Sequence, residues 1–102
     1  MSSEAFHVPY EKLSAKTRQQ HYAISSLMEE LEAVDWYRQR MDDTPDKQLK
    51  AVLAHNAREE IEHAAMVLEW LRRNDKDFDE QLKKYLFTDK PIIEVEHESE
   101  DD

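Results

Sequence analysis

The sequence contains no glycine, no cysteine and only three prolines among its 102 residues. Without Gly, the two-residue hairpin turns that require positive φ are hard to form, which argues against a β-rich fold. Without Cys, disulfides, thiolate zinc sites and cysteine nucleophiles are excluded. A chain of this length forms one domain at most. These absences leave a small all-α protein as the expected fold class.

Basic residues and long apolar runs are also scarce. The chain has 24 acidic and 14 basic residues, a formal net charge of −10, which disfavours nucleic acids and anionic membranes as partners and favours cations. No apolar run approaches the ~18 residues of a membrane span. The first residues lack the features of a signal peptide, so we expect a cytoplasmic protein. The hydrophobic fraction of 39% is low for so small a monomer, so burial by self-association is expected.

The hydrophobic periodicity predicts two long helices and a shorter third one. They extend over about Tyr10–Met41, Pro45–Arg73 and Asp75–Phe87. Thr44 is the predicted N-cap of the second helix, with Pro45 as its first residue. The two long helices form an antiparallel hairpin with one apolar face per helix. Because one hairpin cannot cover both faces, two hairpins are expected to pack into a ferritin-like four-helix bundle.

The chain is expected to divide at Pro91. Residues 1–91 are predicted to form the helical hairpin domain. Residues 92–102 begin with apolar side chains and become strongly acidic, which predicts a flexible tail.

Two polar residues interrupt the apolar stripe of the second helix. With Leu49 at zero on a helical wheel, Glu60 lies at about 20° and His63 at about 320°. The two residues are three positions apart, so their side chains point the same way. Burying them in a core is costly unless something pairs them. A metal ion bound between them satisfies both.

The first helix offers a third ligand. Glu30 lies at the edge of its apolar stripe, close to Tyr37. Di-metal carboxylate bundles use a Glu from each of two helices and a Glu-x-x-His from each of the other two, and this chain holds half of that set. Two copies related by a two-fold axis complete it. Carboxylate and imidazole ligands suit iron, with two ions about 3.5–4 Å apart. The spacing also leaves Glu59 and Glu62 open as ligands, and the acidic segment around Glu30 open as a solvated face.

The residues around these positions resemble the encapsulated ferritins. The resemblance is carried by MEELEAVDWY at 28–37 and AHNAREEIEHAAM at 54–66, and it extends through LEWLRRN at 68–74 and YLFT at 85–88. It implies a hairpin subunit that dimerises around a di-iron centre and oxidises Fe(II) to Fe(III) with O2. The implied iron ligands are Glu30, Glu60 and His63, with Tyr37 beside the centre. The implied outer metal site, on the path of iron inward, consists of Glu29, Glu32 and Trp36.

The resemblance also implies partners. Members of the family assemble as rings of five dimers and are cargo of encapsulin shells, which store the mineral. We therefore expect this chain inside an encapsulin compartment. The family usually ends in an apolar docking peptide that contains Gly and Leu. This sequence stops at Asp102 without one, so truncation and a different route to the shell both stay open.

Two other functions are compatible with the residues. In the first, the site holds zinc or calcium and only joins the subunits. In the second, the chain is a metal-free helical interaction module whose apolar faces are covered by a partner protein.

Overall fold

The computed structural model describes residues 6–101, with side chains described for residues 6–98. A short 3-10 helix, Tyr10–Lys12, precedes four α-helices. These are α1 (Ala15–Asp43), α2 (Lys47–Asn74), α3 (Lys76–Tyr85) and α4 (Ile92–Asp101). The described part of the chain contains no strand, which confirms the predicted all-α class. None of its helices has the length and apolar content that crossing a membrane requires.

Side-chain caps set the starts of the first three α-helices. Ser14 Oγ accepts a hydrogen bond from Thr17 N at 3.1 Å at the start of α1. Asp46 Oδ1 accepts from Leu49 N at 3.0 Å at the start of α2. The Asp75 side chain accepts hydrogen bonds from Asp77 N and Phe78 N at the start of α3. Such caps satisfy backbone N–H groups that have no partner within the helix.

The predicted start of α2 was two residues too early. Thr44 ends α1 rather than beginning α2, and its Oγ1 accepts from Asp46 N at 3.2 Å within the turn. The physical reason is that Asp46 is itself a strong capping residue. The first predicted helix also begins later than expected, because the chain leaves the 3-10 helix at Leu13 in an extended conformation.

Helices α1 and α2 pack along their length as an antiparallel hairpin, and α3 packs on α2. At ~1.5 Å per residue, α1 is about 43 Å long. The core is thin, because only seven described residues are buried and Leu71 alone is fully inaccessible. The buried residues are Ala23, Val34, Leu53, Ala57, Ala64, Leu71 and Val95.

Many predicted stripe residues remain exposed in the single chain. The exposed apolar side chains of α1 and α2 are Tyr22, Ile24, Met28, Leu31, Trp36, Leu49, Val52, Ile61, Met66 and Trp70. The hairpin therefore leaves much of its apolar surface uncovered.

The structure differs from the prediction beyond Pro91. A flexible tail was expected there, but the chain forms α4, which packs on α3. The Pro91 carbonyl accepts a hydrogen bond from Val95 N at 3.1 Å, and Lys90 Nζ lies 2.7 Å from Glu98 Oε1. Val95 is buried, so an apolar contact stabilises this helix despite its acidic composition. The division of the chain into a domain and a tail stays a prediction.

Candidate metal centre

Three side chains with metal-binding groups converge where α1 faces α2. Glu30 projects from α1, and Glu60 and His63 project from α2. His63 Nδ1 lies 3.6 Å from Glu30 Oε2 and 3.7 Å from Glu60 Oε2. One ligand atom from each residue lies within 4.8 Å of the others. The hairpin thus brings together the three residues that the sequence predicted as ligands.

Local helix geometry positions these groups. Glu60 and His63 are one turn apart and share a face of α2. The buried Ala57 and Ala64 flank them along the helix, and their small side chains let α1 approach closely. On α1, Val34 lies one turn after Glu30 and is buried, so this part of α1 is packed against α2. The cluster therefore lies at the edge of the packed seam between the two helices.

The cluster is partly shielded from water. The side chains of Glu30 and Glu60 are 23% and 24% exposed, and that of His63 is 48% exposed. The neighbouring Glu60 carboxyl, together with desolvation, raises the pKa of Glu30 above its usual value. Two close carboxylates disfavour each other's ionised form. A bound cation removes this repulsion, because it is attracted to both.

The donor set fits a transition-metal ion. Two ligand atoms that are ~2.1 Å from one ion at a tetrahedral angle lie about 3.4 Å apart, close to the spacings from His63 Nδ1 to the two carboxylates. Carboxylate oxygen and imidazole nitrogen together suit iron, and also zinc. One chain supplies three protein ligands, which leaves coordination positions open.

The other predicted site residues lie outside this cluster. Tyr37 is half-buried on α1, and its ring lies 5.8 Å from the Arg40 guanidinium carbon. Glu29, Glu32 and Trp36 are exposed on α1. Among residues 6–98, the only group of three or more metal-binding side chains with ligand atoms this close together is Glu30, Glu60 and His63. The roles of Tyr37 and of the outer site stay predictions.

Glu59 and Glu62, the two alternative ligands that the spacing left open, lie outside the cluster. Glu59 Oε1 lies 3.4 Å from His55 Nε2 as a surface pair one turn apart. Glu62 is exposed. Neither belongs to the cluster, which favours Glu60 over both as the ligand on α2.

Sequence reasoning missed one polar arrangement. The hydroxyl groups of Tyr10 and Tyr22 lie 3.0 Å apart. Tyr10 belongs to the segment before α1, which folds back on the helix. No periodic pattern predicts such a contact, since the two residues are in different elements.

The fold and cluster define an all-helical hairpin protein with a carboxylate–histidine site. Residues 5–89 match the profile of the family described as EncFtn-like. An encapsulated ferritin-like protein from Rhodospirillum rubrum is 58% identical over 95 residues, 93% of this chain and 68% of the relative. A ferritin-like protein from Thermotoga maritima is 52% identical over 97 residues, 95% of this chain and 85% of the relative.

A solved structure is similar as well. The crystal structure of protein ne0167 from Nitrosomonas europaea has a TM-score of 0.83 and 61% sequence identity, and the match covers 85% of this chain and 96% of that one. The chain belongs to the EncFtn-like family, which confirms the resemblance found in the sequence.

Proposed function

We propose that this protein is a ferroxidase that binds Fe(II) at Glu30, Glu60 and His63 and oxidises it to Fe(III) with O2. The observation that carries the proposal is the convergence of these three ligands from two helices. Membership in a ferritin-like family supports an iron-related role. In the reaction each Fe(II) ion loses one electron and O2 accepts the electrons.

The complete site requires a second copy of the chain. One chain offers three protein ligands, whereas di-metal carboxylate bundles use four Glu and two His. Two copies around a two-fold axis supply Glu30, Glu60 and His63 twice. The apolar side chains left exposed on α1 and α2, including Leu31 and Val52, support burial against a partner hairpin. A ring of five such dimers is the assembly that we propose.

The partner of the assembly is an encapsulin shell. The Rhodospirillum rubrum relative is described as encapsulated, and the same association is proposed for this chain. In this scheme the protein oxidises the iron and the shell stores the ferric product. The exposed acidic side chains Glu29 and Glu32, with Trp36, form the proposed outer site on the path of iron.

The test measures oxidation of Fe(II) under O2 by the change in absorbance as Fe(III) forms. Glu60→Ala and His63→Ala should each abolish the fast phase and leave the helical circular dichroism unchanged. Glu59→Ala, one position away and outside the cluster, is the matched control and should oxidise iron as the wild type does. Wild-type rates in both ligand variants would overturn the site assignment.

Two measurements separate the ferroxidase from its alternatives. An anomalous-scattering map at the iron edge should show two peaks between Glu30, Glu60 and His63 of two chains. Tight metal binding without oxidation would instead favour a site that only joins subunits through zinc or calcium. A metal-free monomer that is indifferent to iron would favour a helical interaction module.

A further inference from the structure

The segment before α1 is attached to the outer surface of that helix by aromatic and polar contacts. The Phe6 ring lies 4.4 Å from the His21 ring and 5.7 Å from the Tyr10 ring, between centroids. Tyr10 OH lies 3.0 Å from Tyr22 OH. This contact joins two segments that are separate in sequence.

Arg18 holds Tyr10 in this position. Its Nε and Nη2 atoms donate hydrogen bonds to the Tyr10 carbonyl oxygen at 3.1 and 2.6 Å. Its guanidinium carbon lies 3.9 Å from the centroid of the Tyr10 ring, within the range of a cation–π contact. Both the backbone and the ring of Tyr10 are therefore restrained. The backbone of Tyr22 is restrained because the residue lies in the middle of the first half of α1, away from the helix ends.

We propose that Tyr10 and Tyr22 form a site of oxidative cross-linking, which one-electron oxidants convert to an intramolecular dityrosine. In dityrosine, a carbon–carbon bond joins the ring positions next to the hydroxyl-bearing carbons. The two hydroxyl groups lie 3.0 Å apart, so the ring carbons next to them are close neighbours, and coupling requires the rings to move until those carbons meet. The contact thus holds the two phenols, and the radicals formed from them, next to each other.

The chemistry balances with a one-electron oxidant. Each phenol loses one electron and one proton and becomes a tyrosyl radical. The two radicals couple to a dienone on each ring; the hydrogen at each bonding carbon then leaves as a proton and the ketone oxygen of the same ring takes one up, which restores the two aromatic phenols. The net change is the loss of two electrons and two protons. In the single chain Tyr10 and Tyr22 are 43% and 47% exposed, so oxidants reach both rings there and water accepts the protons.

The other two tyrosines have no comparable arrangement. Within residues 6–98, Tyr37 and Tyr85 are half-buried and make no hydroxyl contact with another tyrosine. Among the described residues, Tyr10 and Tyr22 are therefore the one tyrosine pair placed for coupling. The cross-link ties the segment before α1 covalently to that helix. Before it forms, the tyrosine pair can give up two electrons to oxidants about 12 Å along α1 from Glu30.

The test exposes the chain of residues 1–102 to a light-activated ruthenium complex with persulfate, which oxidises tyrosine without iron. Its outcome is therefore independent of the proposed ferroxidase. The expected product is a monomer that has lost two hydrogen atoms and shows dityrosine fluorescence. Trypsin should then release the peptide of residues 1–12 bonded to that of residues 19–38, with the bond mapped to Tyr10 and Tyr22 by fragmentation.

Substitutions identify which residues form the cross-link. Tyr10→Phe and Tyr22→Phe should each lose the product, whereas Tyr37→Phe and Tyr85→Phe should keep it. Arg18→Ala should lower the yield although both phenols remain, and Arg38→Ala on the same helix is its matched control. The proposal is overturned by cross-links only between chains, by a bond to Tyr37 or Tyr85, or by no product where free tyrosine couples in the same solution.

Discussion

His63 on α2 faces Glu30 on α1 across the hairpin, with Nδ1 3.6 Å from Oε2. The contact joins residues that are distant in sequence, so it depends on the register of the two helices. Glu60 Oε2 lies 3.7 Å from the same Nδ1 atom. Both carboxylates thus approach one ring nitrogen and lie close to each other, so they repel each other when the site holds no cation.

This repulsion predicts that Glu30→Gln stabilises the metal-free protein. The substitution removes one of two close negative charges and keeps the size of the side chain. We expect a gain of ~1 kcal/mol at neutral pH, the scale of a partly exposed charge pair, and a rise in Tm of about 4 °C. Thermal unfolding with a chelator present measures it.

Addition of Fe(II) without oxygen provides the control for this prediction. The wild type should then gain stability and Glu30→Gln should gain less, because it has lost a ligand. Glu62→Gln removes an exposed charge next to His63 and outside the cluster and should show neither effect. A metal-free Glu30→Gln protein less stable than the wild type would contradict the argument.

The thin core predicts an unequal response to truncation. Leu71 is fully inaccessible, so Leu71→Ala removes packed atoms and leaves a cavity. The expected loss in the free energy of unfolding is about 2–5 kcal/mol, a large fraction of the stability of a small domain. Urea unfolding followed by circular dichroism measures it.

Leu86→Ala makes the same chemical change at an exposed position and should lower the free energy of unfolding much less. Equal losses in the two variants would contradict the assignment of the core.

The helices and two of the three cluster residues follow from local sequence. Glu60 and His63 share a face because they are three positions apart, and the apolar stripe identifies that face as buried. Glu30 could be placed only at the edge of its stripe. Which residue of α2 it meets depends on how the hairpin closes, and periodicity carries no information about that.

Two features were mispredicted because local signals competed. Thr44 and Asp46 both favour an N-cap, and the carboxylate of Asp46 takes the position in the structure. The acidic composition after Pro91 predicted a tail, yet Ile92 and Val95 are three residues apart and form an apolar face on α4. Val95 is buried, and Lys90 pairs with Glu98, so contacts that the composition does not reveal accompany this helix.

The junction of α2 and α3 predicts a pH dependence. Arg72 contacts Asp79 of α3 and donates to Glu69 at 2.7 and 2.8 Å, and Arg73 donates to Glu69 at 2.6 Å. Hydrogen bonds from Arg72 and Arg73 lower the pKa of Glu69 to about 2. Lys83 and Arg72 lower the pKa of Asp79. A carboxyl with a lowered pKa stabilises the fold above its unfolded pKa, and that stability is lost as the pH falls.

Arg72→Gln should therefore lower the urea midpoint at neutral pH. The difference from the wild type should shrink between about pH 5 and pH 2, as the carboxyls take up protons. Both groups are partly exposed, so the effect should also weaken in high salt. Arg58→Gln, an exposed position without a described ion pair, should show no such dependence. A difference in urea midpoint that stays constant over this pH range would show that these ion pairs do not stabilise the fold.

The uncovered apolar surface predicts self-association through α2. Met66 is 65% exposed and lies beside Trp70, one turn on, in an open groove completed by Ala65, Glu69 and Arg73. A charge placed there must be desolvated when another hairpin covers the groove, so Met66→Asp should weaken assembly and leave the helical content unchanged. Light scattering after size exclusion measures the mass in solution.

Ala51→Asp adds the same charge at an exposed position of α2 outside the groove and should assemble as the wild type does. A Met66→Asp protein with the wild-type mass at matched concentration would exclude this face as the contact between copies, since a buried unpaired carboxylate cannot be carried without cost.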